Sequence, residues 1–330
     1  MNRAIVALVE HADRLLASCA LAAAGDRSSL IIPMFHGVYP DRAAASSGRF
    51  DPQQGITLSD LSRLLQSFQR AGYRFVAPDD ISAGLASDGK FIMLTFDDCY
   101  FNNVAVLPIL REFRAPGVFF ISVGHVVRGR AFWWDVLYRE MTRAGHGPGP
   151  LQAARARCKR LRNSEIEEWL KAEFHLSDLR PAGDLDRPMT PSELKEFSQH
   201  PCAVIGNHTV DHAILTNYSA GEAYEQIEGA QQALLDITGR LPSCIAYPNG
   251  NCSAEIVDAA QRAGLSSGVV TTYGRNALPI APCGRDRMMM RRVLPVGMRE
   301  IESQCRVFRS PISMRSIARN LRSRLRTAQP

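Results

Sequence analysis

The apolar run Phe91-Ile92-Met93-Leu94-Thr95-Phe96 ends in two adjacent carboxylates, Asp97 and Asp98, and about a hundred residues later comes Asn207-His208-Thr209-Val210-Asp211-His212. Such a set can build a metal-dependent hydrolase. One carboxylate acts as a base, while the other joins two imidazoles to hold zinc or a similar divalent ion, leaving a position open for water and substrate. The run is too short for a helix and reads as a buried parallel strand. Both carboxylates then sit at its carboxyl end, where open and barrelled α/β sheets keep their chemistry. His208 and His212 are four apart, so a single helical turn would aim both imidazoles the same way. Each piece also has a plain structural reading: either Asp can cap the helix expected from Asn102, and His212 can be an ordinary helix-surface residue.

The elements around these residues alternate as in an α/β protein. Ile31 to Val38 reads as a first strand, with His36 near its end and Gly37 closing it. Asp41 to Gln54, rich in Ser, Gly and Ala, suggests a mobile loop at a barrel mouth. Thr57-Leu58-Ser59-Asp60 starts a helix whose Leu61, Leu64, Leu65 and Phe68 share one face. Tyr73 to Val76 is a short strand, Asn102 to Phe113 a helix despite Pro108, and Gly117 to Val123 a further buried strand. Residues 125 to about 190 interrupt the alternation with a mostly helical stretch expected to lie over the mouth. Within it, Arg155 to Arg162 reads as a solvated helix face. Strands at Cys244 to Tyr247, Ser267 to Thr271 and Met288 to Val293 complete the pattern.

Composition narrows the function classes. With 330 residues, 45% hydrophobic and 22% charged, the chain is ordinary globular material. The formal charge of +6 resides in residues 301–330, which hold seven Arg against Glu302; the other residues balance. Basicity therefore gives no argument for nucleic acid as a partner. The eight Cys form no C-x-x-C pair and read as reduced thiols. Glu10, His11, Asp13 and Arg14 interrupt the stretch ahead of apolar Leu15 to Ala24, so residues 1–29 read as an amphipathic helix and not as a secretory signal. The expected location is cytoplasmic, with export as the alternative. Met314, Ile317, Ala318, Leu321 and Leu325 share a helical face opposite Arg315, Arg319, Arg322 and Arg326, which suits packing on the barrel or peripheral contact with an anionic membrane.

Three segments in order carry a family resemblance: Thr95-Phe96-Asp97-Asp98-Cys99-Tyr100, Asn207-His208-Thr209-x-x-His212 and Ala246-Tyr247-Pro248-Asn249-Gly250. Together they resemble the polysaccharide deacetylase family, also called the NodB homology domain or carbohydrate esterase family 4, over about Leu30 to Pro295. The resemblance implies a distorted (β/α) barrel, here residues 30–298 with the helical insertion, followed by a basic extension over 299–330. It implies hydrolysis of N-acetyl, sometimes O-acetyl, groups on glycans. Asp97 becomes the general base, Asp98, His208 and His212 the metal ligands, and Tyr247-Pro248-Asn249-Gly250 a groove wall whose backbone helps bind the oxyanion. The chain departs from the family at three points. Cys99 stands where Gly is usual, and Ala246 where an Arg often orients the catalytic Asp. No His follows His212 to supply the general acid of the family's Leu-x-His segment. Ile31 to Val38 resembles the Tyr-His-x-Val segment of a subgroup whose acid-bearing strand comes first, so His36 is the expected acid.

The expected activity is a metal-dependent hydrolysis removing N-acetyl groups from hexosamines in a glycan or a lipid-linked oligosaccharide. Zinc is the expected ion, with cobalt, nickel and manganese also compatible with the ligands. Trp133 and Trp134, in Phe132-Trp133-Trp134-Asp135, are expected to stack on sugar faces or to anchor the insertion. Two other readings stay open: an amidohydrolase on a non-sugar amide, and a glycan-binding homologue that has lost turnover.

Overall fold

Alternation along the strands sorts side chains between two apolar layers. All five residues of Gly117–Ile121 are buried. Val118 and Phe120 join Leu30, Ile32, Met93 and Met290 in one cluster. Phe119 and Ile121 join helix residues such as Leu64, Phe68, Leu194 and Leu234 in another. Strands buried on both faces are parallel strands under helices. The first cluster fills the inside of a barrel, and the second lies between the barrel and its helical coat.

The computed structural model describes residues 3–281, 283–297 and 299–312. Seven parallel strands lie side by side: β1 (Met34–Phe35), β2 (Leu94–Phe96), β3 (Gly117–Ile121), β4 (Ala203–Asn207), β5 (Cys244–Ala246), β6 (Ser267–Tyr273) and β7 (Met290–Arg292). The edges meet where the Met34 N–H donates to Val293 O at 2.9 Å and the Val293 N–H donates to Ile32 O at 2.8 Å. The sheet is thus nearly closed into a barrel. Gly206 of β4 is required by this packing, because a Cβ there would lie 2.4 Å from the Phe120 ring.

Two strands expected to be continuous are each divided. Lys90–Ile92 pairs with Ser29–Ile31 on one side and Arg74–Phe75 on the other in a small sheet, while Met34–Phe35 and Leu94–Phe96 belong to the barrel. The division falls at Pro33, which has no N–H to give. The ladder nevertheless keeps register across it, with the Met93, Thr95 and Asp97 N–H groups donating to Ile31, Pro33 and Phe35 carbonyls.

The helix Leu58–Arg70 begins with the expected capping box between Thr57 and Asp60 and buries Leu61, Leu64, Leu65 and Phe68. The helix expected over 102–113 is instead a 3₁₀ turn, Phe101–Val106, followed by an α-helix, Leu107–Glu112. Pro108 occupies its first turn, where a missing N–H costs nothing. The segment 41–54 is more ordered than its composition suggests. Asp41 caps a short helix, Arg42–Ala45, Phe50 stacks on Tyr39 at 5.2 Å, and the Asp51 N–H donates to Asp135 at 3.0 Å.

Between β3 and β4 the chain forms helices Val123–Arg128, Trp133–Arg143, Pro148–Cys158 and Asn163–Phe174. They carry their own apolar cluster, including Phe132, Trp134, Leu137 and Leu170. The N-terminal helix is Arg3–Ala24, and Ile301–Arg309 packs against it and against Leu58–Arg70. Ile301, Cys305 and Phe308 enter the main core, and Arg63 grips Glu302 through two 2.7 Å bonds. The first part of the expected basic extension therefore belongs to the barrel body. The helix expected over Met314 to Arg326 lies outside the described residues. No helix among the described residues is long and apolar enough to cross a membrane.

Candidate active site

Strand parity explains where Asp97 points. Met93 faces the barrel interior, so Thr95 and Asp97 follow it inward. Met290 also faces inward, and Arg292, two residues on, follows it. The guanidinium meets the carboxylate with Arg292 Nη1 2.7 Å from Asp97 Oδ1, and both side chains are almost wholly buried. Arg292 Nε donates to Val270 O at 3.2 Å, which fixes the fork. Burial pushes the Asp97 carboxyl up, but Arg292, His208 and His36 outweigh it and hold the group below its usual range. No orienting cation for Asp97 is legible in the sequence, because Ala246 stands where an Arg is often found. The missing cation comes from the last strand instead. Its sequence trace is the Arg at the inward position of Met290-Arg291-Arg292, where Arg291 is exposed and Arg292 buried.

Asp98 lies past the strand end and turns away from Asp97 because its φ is 80°. Its Oδ1 lies 3.4 Å from His208 Nε2 and 3.5 Å from His212 Nε2. The histidines do not share a helical turn. They flank a tight loop after β4 in which Thr209 has φ 65° and His212 φ 53°. Asn207 builds that loop, its Oδ1 accepting from the Thr209 N–H at 2.8 Å while its Nδ2 donates to Ile227 O and Gln231 Oε1. Thr209 Oγ1 then accepts from the Ala213 N–H at 3.0 Å. Asp98, Cys99, Thr209, His212 and Asn249 all have left-handed φ without being glycine. Each such residue costs about 1–3 kcal/mol, and strain of this kind concentrates at functional sites.

Asp98, His208 and His212 offer ligand atoms that all lie within 4.8 Å of one another. Neither oxygen of Asp98 has a conventional hydrogen-bond partner although both are buried, and His212 Nδ1 is buried without one as well. Buried polar atoms left this way are costly unless something else satisfies them. His208 Nδ1 donates to Ala246 O at 2.6 Å, which sets the tautomer and turns Nε2 toward Asp98. Burial lowers the His212 imidazole to about 3, so it is neutral and available as a ligand at physiological pH. Burial opposes ionisation of Asp98, but the contacts with His208 and the other imidazoles hold it well below the usual carboxylate range. One carboxylate and two imidazoles suit zinc and its neighbours.

His36 lies just past β1 and lines the same cavity of about 380 Å³ as Asp97, Asp98, His208, His212 and Asn249. Its Nδ1 donates to Gln54 Oε1 at 2.9 Å, and Gln54 Nε2 donates to Met34 O at 2.8 Å. Asn103 Nδ2 binds the His36 carbonyl at 2.8 Å. Nε2 is therefore the nitrogen left to handle a proton. Gln54 and Asn103 were invisible as orienting residues in the sequence, since each lies far from His36 along the chain.

The segment after β5 divides differently from expectation. Tyr247 is fully buried in an apolar cluster, and its N–H donates to Val269 O at 3.2 Å. Pro248 is buried and has no N–H. Neither forms a substrate surface, because strand parity buries Tyr247 beneath the helices. The Gly250 N–H is taken by Tyr247 O at 2.7 Å. Asn249 alone of this segment lines the cavity. Its φ of 58° and the Thr271 Oγ1 bond to its carbonyl, 3.1 Å, fix the peptide.

Trp133 and Trp134 line the cavity yet are only 7% and 8% exposed, so they anchor the insertion as well as facing the site. Trp134 stacks on Phe132 and meets His212 edge-on at 4.6 Å. Its Nε1 donates to Tyr100 Oη at 2.8 Å, and Tyr100 Oη donates to Asp135 Oδ2 at 2.7 Å. This chain ties the insertion to the loop carrying Asp98.

Cys99 has φ 72°, which accounts for Gly being usual there. Burial pushes its thiol up to about 12, so it is a poor nucleophile. Iodoacetamide at neutral pH should label exposed Cys19 of the native protein and spare Cys99. Peptide mapping that found Cys99 alkylated as readily as Cys19 would contradict this placement.

Comparison with known proteins bears on the family and the fold. The polysaccharide deacetylase family model matches residues 85–268, more than half of the chain. The chain belongs to the polysaccharide deacetylase family. One curated relative that carries the family's name is YxkH of Bacillus subtilis (strain 168). It is 27% identical over 211 residues, which are 62% of this chain and 54% of the relative. The chain thus spans about half the length of this curated relative. Among solved structures, the Streptococcus pyogenes deacetylase PplD in complex with acetate aligns with TM-score 0.57 and 17% identity, over 86% of this chain and 99% of PplD. IcaB from Ammonifex degensii aligns with TM-score 0.54 and 19% identity, over 82% and 92%. At these identities the solved structures speak for the barrel fold alone.

Proposed function

We propose that the protein is a metal-dependent N-deacetylase acting on N-acetylated hexosamines in a glycan or glycan precursor, with zinc as the ion. The observation that carries this reading is the convergence of a three-ligand set, a guanidinium-held carboxylate and an oriented imidazole on one cavity. A divalent ion held by Asp98, His208 and His212 would supply Lewis acidity, polarising the acetyl carbonyl and lowering the pKa of water. Asp97, ionised beside Arg292, accepts the proton of the attacking water. The Asn249 N–H donates to the oxyanion that develops at the carbonyl. His36 Nε2 delivers a proton to the departing amine, while Gln54 holds the other ring nitrogen.

A homologue without turnover was an open reading because an orienting Arg and a C-terminal His were missing. The Arg292 pair with Asp97 and the presence of His36 in the same cavity support the catalytic reading. The substrate class is tested by acetate release from metal-reconstituted protein. N-acetylglucosamine oligomers should be turned over at least tenfold faster than non-sugar acetamides of similar size. Equal or inverted rates would move the assignment to a general amidohydrolase.

Arg292 gives a further test. Removing one member of a buried ion pair costs about 3–5 kcal/mol, so Arg292→Met should lower the urea midpoint markedly. Loss of the guanidinium also raises the Asp97 pKa. Because the base works only when ionised, the acid limb of the kcat/KM profile should move to higher pH in the variant. Arg292→Lys, which keeps the charge, should move it less. An unmoved acid limb in both variants would separate Arg292 from the base.

A further inference from the structure

The charge run from Arg155 to Arg162 is largely exposed, as expected of a solvated helix face, yet two of its side chains also reach the cavity. Arg155 and Lys159 both line the space that holds Asp97, Asp98 and His36. They stand one helical turn apart at the carboxyl end of Pro148–Cys158, where Lys159 is the capping residue. Arg155 is ion-paired with Asp51, which also lines the cavity. Lys159 has no ion pair among the described residues. The carboxylate that acts on it, Asp51, is already engaged by Arg155, and desolvation together with Arg155 holds the Lys159 ammonium below the usual lysine range.

The other charges at the mouth are accounted for. Asp97 is neutralised by Arg292, and Asp98 faces the two histidines. An acetamide on a neutral sugar gives Lys159 nothing to pair with. A cation at the rim of a cavity with no counter-charge committed to it favours an anion. Resting on the deacetylase reading of the same cavity, we infer that the substrate carries an anionic group, a carboxylate or a phosphate, on or next to the acetylated sugar, and that Lys159 recognises it. Arg155 contributes by engaging Asp51, so that the ammonium stays available. The helical insertion would then serve as more than a cover: it selects charged glycans over neutral ones.

Two matched pairs of probes separate the sources of charge. The first is a tetrasaccharide alternating N-acetylglucosamine with glucuronic acid, against the same compound with its carboxylates methyl-esterified. The second is N-acetylglucosamine 1-phosphate against the methyl glycoside. Equilibrium binding and kcat/KM are measured for each with metal-loaded wild type, Lys159→Met and Lys159→Glu. A single exposed charge pair is worth roughly fivefold, so the wild type should prefer the anionic member of one pair by about that factor, less at high salt. Lys159→Met should abolish the preference and Lys159→Glu reverse it. Lys159 is exposed, so both variants should fold. Wild type that fails to discriminate in either pair overturns the inference, as does a preference that survives in Lys159→Glu. Absence of acetate from every probe would instead defeat the deacetylase reading, and the binding comparison would still judge the anion site.

Discussion

His36→Ala is expected to lower kcat by roughly 10²–10⁴, the usual range for loss of a general acid, while metal content and fold stay unchanged. The reason is geometric. His36 shares the cavity with Asp97 but stands just past β1, and its Nδ1–H donates to Gln54, which leaves Nε2 as the nitrogen that takes up and delivers the proton. Its ring is outside the three-residue ligand set, so removing it takes no ligand away. The expected signature is a loss in kcat that grows with the pKa of the leaving amine, because poor leaving groups depend most on protonation. His36→Ala with wild-type kcat on every substrate would mean that another group protonates the amine. Gln54→Ala should show a smaller loss of the same kind, since it frees the ring without deleting it.

The second large effect divides the two neighbouring carboxylates. Asp98→Ala, His208→Ala and His212→Ala should each reduce bound metal sharply, since a third of the protein's ligands is lost. Asp97→Asn should keep the metal and lose activity, because the amide cannot accept the proton. Metal analysis after gel filtration reads the first outcome and acetate release the second. Equal metal loss in all four variants would contradict the separate roles. His208→Ala should also disturb the end of β5, where Ala246 O loses its 2.6 Å donor. Some stability loss is therefore expected there and not in His212→Ala.

The parts legible in the sequence were those fixed by local pattern. The buried run ending at Asp97, the capped helix at Thr57 and the apolar face of Leu61, Leu64, Leu65 and Phe68 all follow from periodicity and caps within a few residues. The ligand trio was legible because adjacent acids and paired histidines are rare in combination. The histidine loop was misread as a helical turn because a spacing of four fits a helix, whereas the backbone reaches the same convergence through left-handed residues at Thr209 and His212. Tyr247 was misplaced because a family segment indicates a wall without saying which side chains face it. Arg292, Gln54 and Asn103 act across long stretches of chain, and no local pattern reveals a partner that only barrel closure brings near. That Arg155 and Lys159 line the cavity was hidden for a related reason: a charged run has no periodic mark distinguishing a residue facing solvent from one facing a cavity.

The central claim is that acetyl hydrolysis at this site depends on an ion held by Asp98, His208 and His212. Its most direct measurement is the rate of acetate release from an N-acetylglucosamine oligomer as zinc is added stepwise to metal-free protein. The account predicts no release at the start, a linear rise that levels at one equivalent, and a flat response from Asp98→Ala throughout. Full turnover by the metal-free wild type in the presence of a chelator would contradict it.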